Sequence, residues 1–227
     1  IRSEGGNNTL TRVTNGSATA KPKAGIIAAG GAGKTLTMTN TDVFASERGV
    51  LFLEGDVTMT DGSIRAENGD GLYADNGKVT VNDAAIYAAS VNVAGSTPTN
   101  AEIVHVTSGN LEMKNTTLTT DAANAAQVGV AVNNGSAELE GVTIGTADAK
   151  PVNGVQANGE KLEIKNSEIF ASDIGVETGS GTVLVEDSTL NAAPDGTAMN
   201  TRGETTIRGE RTVLTGKTGL ATGVKTT

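Results

Sequence analysis

The 227-residue sequence contains no cysteine and no tryptophan, and only three phenylalanines, two tyrosines and one histidine. Without cysteine the chain has no disulfide, no cysteine-ligated zinc and no thiol for catalysis. The single histidine, His105, excludes a metal site that needs several histidines. No run of about 18 apolar residues is present, so the sequence predicts no membrane-spanning helix. With so few aromatic rings, a core has to consist of Val, Ile, Leu, Met and Ala.

Positively charged residues are also scarce. Lysine and arginine together number 17 against 26 aspartates and glutamates, which gives a net charge of −9 and a pI near 4.7. Nucleic acids and anionic membrane surfaces are bound by clustered lysines and arginines. We therefore predict no nucleic-acid partner and no attraction to an anionic membrane surface.

The sequence contains an internal repeat, whose clearest copy is residues 161–181. Within this copy aliphatic residues recur at a spacing of seven, from Leu162 to Ile169 and Val176, and Val183 begins the next copy. One repeat therefore has three sides of equal length and about 21 residues.

The first side recurs eight times as a pair of inward residues separated by one residue. The pairs are Leu36/Met38, Val57/Met59, Val79/Val81, Leu111/Met113, Ala137/Leu139, Leu162/Ile164, Val183/Val185 and Thr205/Ile207. Two residues after each pair stands a residue that tolerates a left-handed backbone or stabilises a turn. These residues are Asn40, Asp61, Asp83, Asn115, Gly141, Asn166, Asp187 and Gly209. Every copy is therefore predicted to bend at the same place.

Aliphatic residues also mark the other two sides. The second side is predicted to bury one aliphatic residue per copy: Val43, Ile64, Ile86, Leu118, Ile144, Ile169, Leu190 and, one place late, Val213. The third side usually begins with glycine: Gly49-Val50, Gly71-Leu72, Gly129-Val130, Gly154-Val155, Gly175-Val176, Gly196-Thr197 and Gly219-Leu220, with Ile103-Val104 in the same slot.

The alternation of apolar with polar residues within each side is the period of a strand with one buried face. Equal three-sided copies coil most simply with each strand stacked in parallel on the preceding one. The sequence therefore predicts an all-β parallel β-helix (solenoid) of about eight to nine three-sided coils over residues 36–220. Residues 1–35 are predicted to be an irregular segment or an imperfect first coil, and residues 221–227 a C-terminal end or cut edge.

Three consecutive copies are longer than the template, all at the corner between the second and third sides. The steps are 18 residues from Ile86 to Val104, 12 from Leu118 to Val130 and 11 from Ile144 to Val155, against seven in the template. Residues 90–100, 120–126 and 146–152 are therefore expected to lie side by side. Loops on a rigid scaffold commonly bind partners, although lengthening an exposed loop also costs little. The candidate binding residues of this loop cluster are Asn92, Ser96, Thr99, Asn100, Asp121, Asn124, Asp148, Lys150 and Asn153.

A second candidate surface follows the outward positions of the first side. Five equivalent outward residues alternate in charge, which predicts a ladder that sets the strand register: Lys114, Glu140, Lys165, Glu186 and Arg208. Glu112, Glu138 and Glu163 lie two residues before members of this ladder and would place negative charges on top of one another. They would form either a solvated face or an acidic patch for a cation or a basic partner. The candidate residues of this lateral face are Glu112, Glu138, Glu163, Lys114 and Lys165.

The few rings offer no obvious site of their own. Phe44, Tyr87 and Phe170 are predicted to point outwards without forming a continuous aromatic platform, because their copies are not adjacent. His105 is predicted to be an outward strand residue.

The sequence lacks a recognisable catalytic constellation, and we predict that the chain is not an enzyme. Glycoside hydrolysis needs two carboxylates about 5–10 Å apart, one with a raised pKa. Stacked glutamates such as Glu138 and Glu163 satisfy the required separation but not the raised pKa, because they lie on an exposed face without an aromatic groove. No nucleophile motif accompanies His105. We predict no catalytic residue, no metal ion and no cofactor.

Segments such as VTMTDGSIRAENGDGLYADNGKVTV, residues 57–81, combine short strands and acidic turns with few aromatics and no cysteine. In architecture and composition, residues 36–220 resemble the passenger domain of a bacterial type V autotransporter of the pertactin and AIDA type, a right-handed parallel β-helix. The resemblance carries over no functional residue. It implies export from a Gram-negative bacterium through a C-terminal β-barrel, the protein's only contact with a membrane. The sequence contains neither that barrel nor a signal peptide, so we expect a fragment or a processed passenger.

Such passengers are most often adhesins or effectors, displayed on the bacterial surface or secreted. We therefore expect a virulence factor that binds a host cell-surface protein or glycan through the clustered loops. A secreted ligand that activates a host receptor is an alternative, which a cell-signalling assay would distinguish. A self-associating aggregation protein is another, which concentration-dependent dimerisation would reveal. A polysaccharide lyase or hydrolase is the least favoured and requires turnover on a glycan panel.

Overall fold

The computed structural model describes residues 1–90 and 100–222, and this part of the chain contains strands and turns but no helix. The strands are β1 (Arg2–Glu4), β2 (Asn8–Thr11), β3 (Thr14–Asn15), β4 (Ala24–Ala29), β5 (Thr35–Ala45), β6 (Arg48–Phe52), β7 (Asp56–Ala66), β8 (Leu72–Asn82), β9 (Ala85–Ala88), β10 (Glu102–Lys114), β11 (Thr117–Thr119), β12 (Val128–Glu140), β13 (Thr143–Ile144), β14 (Asn153–Ala157), β15 (Lys161–Lys165), β16 (Glu168–Ala171), β17 (Ile174–Thr178), β18 (Thr182–Glu186), β19 (Thr189–Ala192), β20 (Thr197–Thr201), β21 (Glu204–Arg208), β22 (Val213–Thr215) and β23 (Thr218–Thr222).

The strands wind into a parallel solenoid of about nine turns, which confirms the predicted fold class. Each turn crosses three faces. Face A consists of β1, β4, β6, the first parts of β8, β10 and β12, and then β14, β17, β20 and β23. Face B consists of β2, the first parts of β5 and β7, the second parts of β8, β10 and β12, and then β15, β18 and β21. Face C consists of β3, the second parts of β5 and β7, and then β9, β11, β13, β16, β19 and β22.

Equivalent residues of successive turns stack directly on one another, in the register that the repeat predicts. On face B one column runs from Leu36 through Val57, Val79, Leu111, Ala137 and Leu162 to Val183. All of these residues are buried. Stacked aliphatic side chains fill the narrow interior, and each buried Val or Leu contributes roughly 1.5–3 kcal/mol before the entropy of ordering is subtracted.

The corner between faces B and C is a sharp turn with a left-handed residue. All eight residues predicted there have a positive φ, from 46° at Asn115 to 95° at Gly209. Arg12 has φ 54° and takes the same place in the first turn, where β2 pairs with β5. Residues 1–29 therefore contribute strands to the same stack.

Buried hydroxyls satisfy the backbone just after this left-handed residue. Ser167 Oγ accepts a hydrogen bond from the Val142 N–H at 3.0 Å and donates to the Lys165 carbonyl at 2.7 Å. Ser188 Oγ accepts from the Ser167 N–H at 3.1 Å in the next turn. The short polar side chains thus continue the hydrogen bonding of the stack where the strands break.

Two predicted positions near the C-terminal end are wrong. Leu190 pairs with Leu214, while Val213 pairs with Thr189 and is 49% exposed. Val176 pairs with Met199, so Ala198-Met199 rather than Gly196-Thr197 occupies the slot at the start of face A. In each case the corner before the strand has more residues than the same corner in regular copies of the repeat. The residue that points into the core therefore lies further along the chain than predicted.

Glycines line the corner between faces A and B. They form a stacked ladder of Gly55, Gly77, Gly109, Gly135, Gly159, Gly181 and Gly203. A Cβ on Gly109 would lie 1.9 Å from the Gly77 carbonyl oxygen, and one on Gly135 would lie 1.8 Å from the Gly109 oxygen. Because neighbouring backbones approach this closely, these positions accept only glycine, whereas Lys34 takes the equivalent place in the second turn.

Candidate functional site

The corner between faces C and A carries the long segments, and we call it the insertion corner. The Val152 N–H donates to the Ala126 carbonyl at 3.0 Å, which joins segment 146–152 to segment 120–126. The Ser90 N–H donates to the Asn124 carbonyl at 2.9 Å. The segments therefore lie against one another along the stack.

The predicted residues of the loop cluster differ in their exposure. Asn92, Ser96 and Thr99 lie outside the described residues. Asn100 and Asp148 are exposed, whereas the remaining members are half-buried: Asp121, Asn124, Lys150 and Asn153.

Two of the half-buried residues have clear structural roles. The Asp121 carboxylate accepts hydrogen bonds from the N–H groups of Ala123 and Asn124, both at 2.9 Å, and these bonds lower the pKa of Asp121. Asn153 Oδ1 accepts from the Ile174 N–H at 3.3 Å in the next turn. Asp121 thus shapes segment 120–126, and Asn153 supports the stacking of β14 on β17.

A further segment at the insertion corner, residues 16–23, was not included in the predicted loop cluster. It lies along the second turn, where Ser46 and Glu47 donate backbone hydrogen bonds of 2.9 Å to the carbonyls of Pro22 and Lys23. The Lys21 ammonium reaches Glu67 Oε1 at 2.5 Å in the third turn. The structure makes Asn15 equivalent to Val43, and the step from Asn15 to Ile26 is then as long as that from Ile144 to Val155, but a polar Asn15 hides this length in the sequence.

Beside the insertion corner, face A carries a polar cluster around the only histidine. Tyr73 and His105 occupy equivalent outward positions of β8 and β10, and their ring centroids are 4.8 Å apart. His105 Nδ1 contacts the Glu102 carboxylate, and His105 Nε2 lies 3.2 Å from Asn133 Nδ2. Thr107 Oγ1 donates to the Tyr73 hydroxyl at 3.1 Å. His105 is outward, as predicted, but it belongs to a connected group.

Acidic neighbours and burial shift the pKa values of two members of this cluster, Asp70 and His105. Burial raises the pKa of Asp70, although its Oδ1 accepts the Glu102 N–H at 3.0 Å and Arg48 lies 3.8 Å from its Oδ2. Burial lowers the pKa of His105, but the hydrogen bond and charge of Glu102, together with Asp70, outweigh it, so the pKa of His105 is raised. The arrangement favours the protonated imidazole more than burial alone would, because His105 contacts the Glu102 carboxylate.

On the other side of the insertion corner, face C carries a column in which Arg65 separates Phe44 from Tyr87. Phe44 and Tyr87 thus belong to non-adjacent turns. An arginine, however, bridges the gap between the rings. Its guanidinium carbon lies 3.8 Å from the Tyr87 ring centroid, which is a cation–π contact.

The charged residues of face B are paired with one another. Glu112 contacts Lys78 at 2.7 Å, Glu138 contacts Lys161 at 3.2 Å, and Lys114 contacts Glu140 at 3.0 Å. The Glu163 carboxylate contacts both Lys161 and Lys165, at 2.7 and 2.6 Å, and their hydrogen bonds lower the pKa of Glu163. The glutamates that stack like on like are therefore compensated by lysines on both sides, which leaves little free negative charge for a cation or a basic partner.

Within residues 1–90 and 100–222, no group of three or more His, Asp or Glu side chains is arranged to hold a metal ion. The same residues include no helix that could cross a membrane. Comparisons of the chain with protein-family models, with curated proteins and with solved structures find no match.

Proposed function

We propose that the chain is a recognition module that binds a host cell-surface protein or glycan through the insertion corner. The observation that carries this proposal is that segments 16–23, 120–126 and 146–152 all lie at one of the three corners. Random lengthening of loops would be spread over all corners, whereas the other two corners gain only about three residues before Leu36 and two before Leu214. Loops that are gathered on a rigid scaffold are typical of binding surfaces in repeat proteins.

The parallel solenoid and its composition support a passenger domain of a bacterial autotransporter, which we propose as the biological context. In that context the protein acts as an adhesin or virulence factor on the bacterial surface or after secretion. A binding role is favoured over catalysis because the carboxylates of face B are paired with lysines on an open face. The same pairing supports self-association through face B less well than recognition through the insertion corner.

The proposal is tested by removing side chains from the insertion corner without changing its backbone. The variant Asn124→Ala/Asp148→Ala/Lys150→Ala removes one amide, one acid and one base. A matched control, Asn134→Ala/Glu160→Ala/Arg202→Ala, removes the same three chemical types from the exposed corner between faces A and B. We expect the first variant to bind host cells at least about tenfold more weakly than the unchanged protein, and the control to bind normally.

Circular dichroism and thermal unfolding show whether both variants keep the solenoid. Equal binding by the two folded variants would mean that the insertion corner is not the recognition site. Cell binding that is absent from the unchanged protein at every concentration would refute the proposed function itself.

A further inference from the structure

We propose that Arg65 on face C is the centre of a site for a sugar that carries a single carboxylate, such as a sialic or uronic acid. This inference rests on the proposed function, because it gives the chemical class of the host ligand. Arg65 lies in β7 between Phe44 of β5 and Tyr87 of β9, in one outward column beside the insertion corner.

The guanidinium group of Arg65 is held in place by its neighbours. Ile64 and Ala66 on either side are buried, which fixes the backbone of Arg65 on the solenoid. The guanidinium carbon of Arg65 lies over the Tyr87 ring, 3.8 Å from its centroid. A guanidinium carries five N–H donors, and a cation–π contact does not occupy all of them. The side chain of Arg65 is 42% exposed, so these donors are accessible to a ligand.

The nearest described carboxylate, that of Glu67, forms only a long ion pair with Arg65. Glu67 Oε1 lies 3.8 Å from Arg65 Nε, which is too long for a hydrogen bond. The same oxygen is engaged by the Lys21 ammonium at 2.5 Å. The other acidic neighbour, Asp121, uses its Oδ1 for the N–H groups of Ala123 and Asn124. Among the described residues, no carboxylate occupies the fork of Arg65, and a ligand carboxylate would form two parallel charge-assisted hydrogen bonds with it.

The surroundings of Arg65 favour a sugar with one negative charge. Phe44 and Tyr87 are two strand spacings apart, or about 10 Å, which is the size of a monosaccharide or disaccharide. Both rings are half-buried and offer apolar surface to the C–H face of a sugar ring. A polysulfated chain fits poorly, because Glu67 and Asp121 lie close by and the whole chain has a net charge of −9.

The test measures binding of small sugars to the purified chain by saturation-transfer NMR and titration calorimetry. The probes are 3′-sialyllactose and a glucuronic-acid disaccharide, compared with lactose, 3′-sulfolactose and a short glutamate-rich peptide. The variants are Arg65→Met, Arg65→Lys and the control Arg202→Met, which removes the same charge from an exposed arginine at the corner between faces A and B.

We expect the acidic sugars to bind and lactose not to bind. Arg65→Met is expected to weaken binding about tenfold or more, and Arg65→Lys to weaken it less, because lysine keeps the charge but not the fork. Arg202→Met should leave binding unchanged. The inference is overturned if no acidic sugar binds, if Arg65→Met binds as well as the unchanged protein, or if sulfolactose or the peptide binds as tightly as sialyllactose. Host-cell binding that persists in such a case would leave the proposed function intact.

Discussion

At the scale of single residues, His105 is the most informative side chain. Its ring packs at a tilt against Tyr73 and contacts Glu102, while Asp70 and Asp75 add negative charge nearby. The ring is half-buried, and burial alone would favour the neutral imidazole. The acidic neighbours reverse that preference, so the folded protein binds the histidine proton more tightly than the unfolded chain does.

We expect the pKa of His105 to lie above its ordinary value of about 6.5. Because the sequence has one histidine, NMR titration of its ring protons gives this pKa without ambiguity. Since the folded pKa is the higher one, the contribution to stability is complete below about pH 6.5 and disappears as the pH rises through the folded pKa. Glu102→Gln should lower the pKa of His105 relative to the unchanged protein. The same titration curve in both proteins would contradict this account.

The repeat predicted which residues point inwards and which residue turns the chain. Asn40 and Asp187 show the success, because the side-chain chemistry of a left-handed turn is local. The contact between Glu102 and His105 was not predicted, although the equivalence of Val104 with Leu72 already places His105 beside Tyr73. Which rotamers meet across a face depends on packing, and the repeat does not specify it.

At the scale of structural elements, the glycine ladder decides how closely successive turns approach at the corner between faces A and B. Gly77, Gly109 and Gly135 have φ values of 125°, 123° and 134°, which disfavour other residues even without a neighbour. The carbonyl oxygen of each glycine also fills the place where a Cβ on the equivalent glycine of the following turn would lie. Both causes act on the same position, so the ladder cannot relax around one substitution.

Gly135→Ala is therefore expected to lower the free energy of unfolding by about 2–4 kcal/mol. The matched control is Gly31→Ala, whose added Cβ would meet only Lys34 Cγ at 3.7 Å. Urea unfolding followed by circular dichroism measures both changes. An unfolding free energy of Gly135→Ala within about 0.5 kcal/mol of the control would show that the ladder is not as tight as the structure indicates.

The insertion corner illustrates the limit of the template at this scale. Segments 120–126 and 146–152 interrupt regular copies, so their extra length is visible in the sequence. Segment 16–23 follows a turn in which Asn15 replaces the usual aliphatic residue, and the repeat therefore could not be aligned there. Segment 16–23 differs from the other two because copies of the repeat are aligned by their apolar residues. The first turn instead pairs through its backbone with β4 and β5.

At the scale of the whole molecule, each turn is stabilised by the turns on either side of it. β10 pairs with both β8 and β12 along 10 and 11 register positions, whereas β1 pairs with β4 at three. The stability of such a stack is approximately a sum of turns and nearest-neighbour interfaces. Local opening should therefore cost less at the outer turns than in the middle.

We expect amide hydrogen exchange to be slowest in β10 and β12 and fastest in β1–β3 and in β21–β23. Strands with one parallel neighbour lose fewer hydrogen bonds and less buried apolar surface when they open. Exchange measured by mass spectrometry, with peptides from each turn, gives the profile directly. Uniform protection across all turns would indicate a single cooperative unit instead of a gradient.

The sequence by itself determined the parallel solenoid, its core columns and its left-handed corner, because all three follow from spacings that repeat every turn. It also located two of the described insertion segments. The tertiary structure decided the rest: the slot of Leu214, the pairing of charges on face B, and the separate columns around His105 and Arg65. Those features join residues of different turns through side chains. A repeat fixes which residues are neighbours, and only packing decides which of their atoms meet.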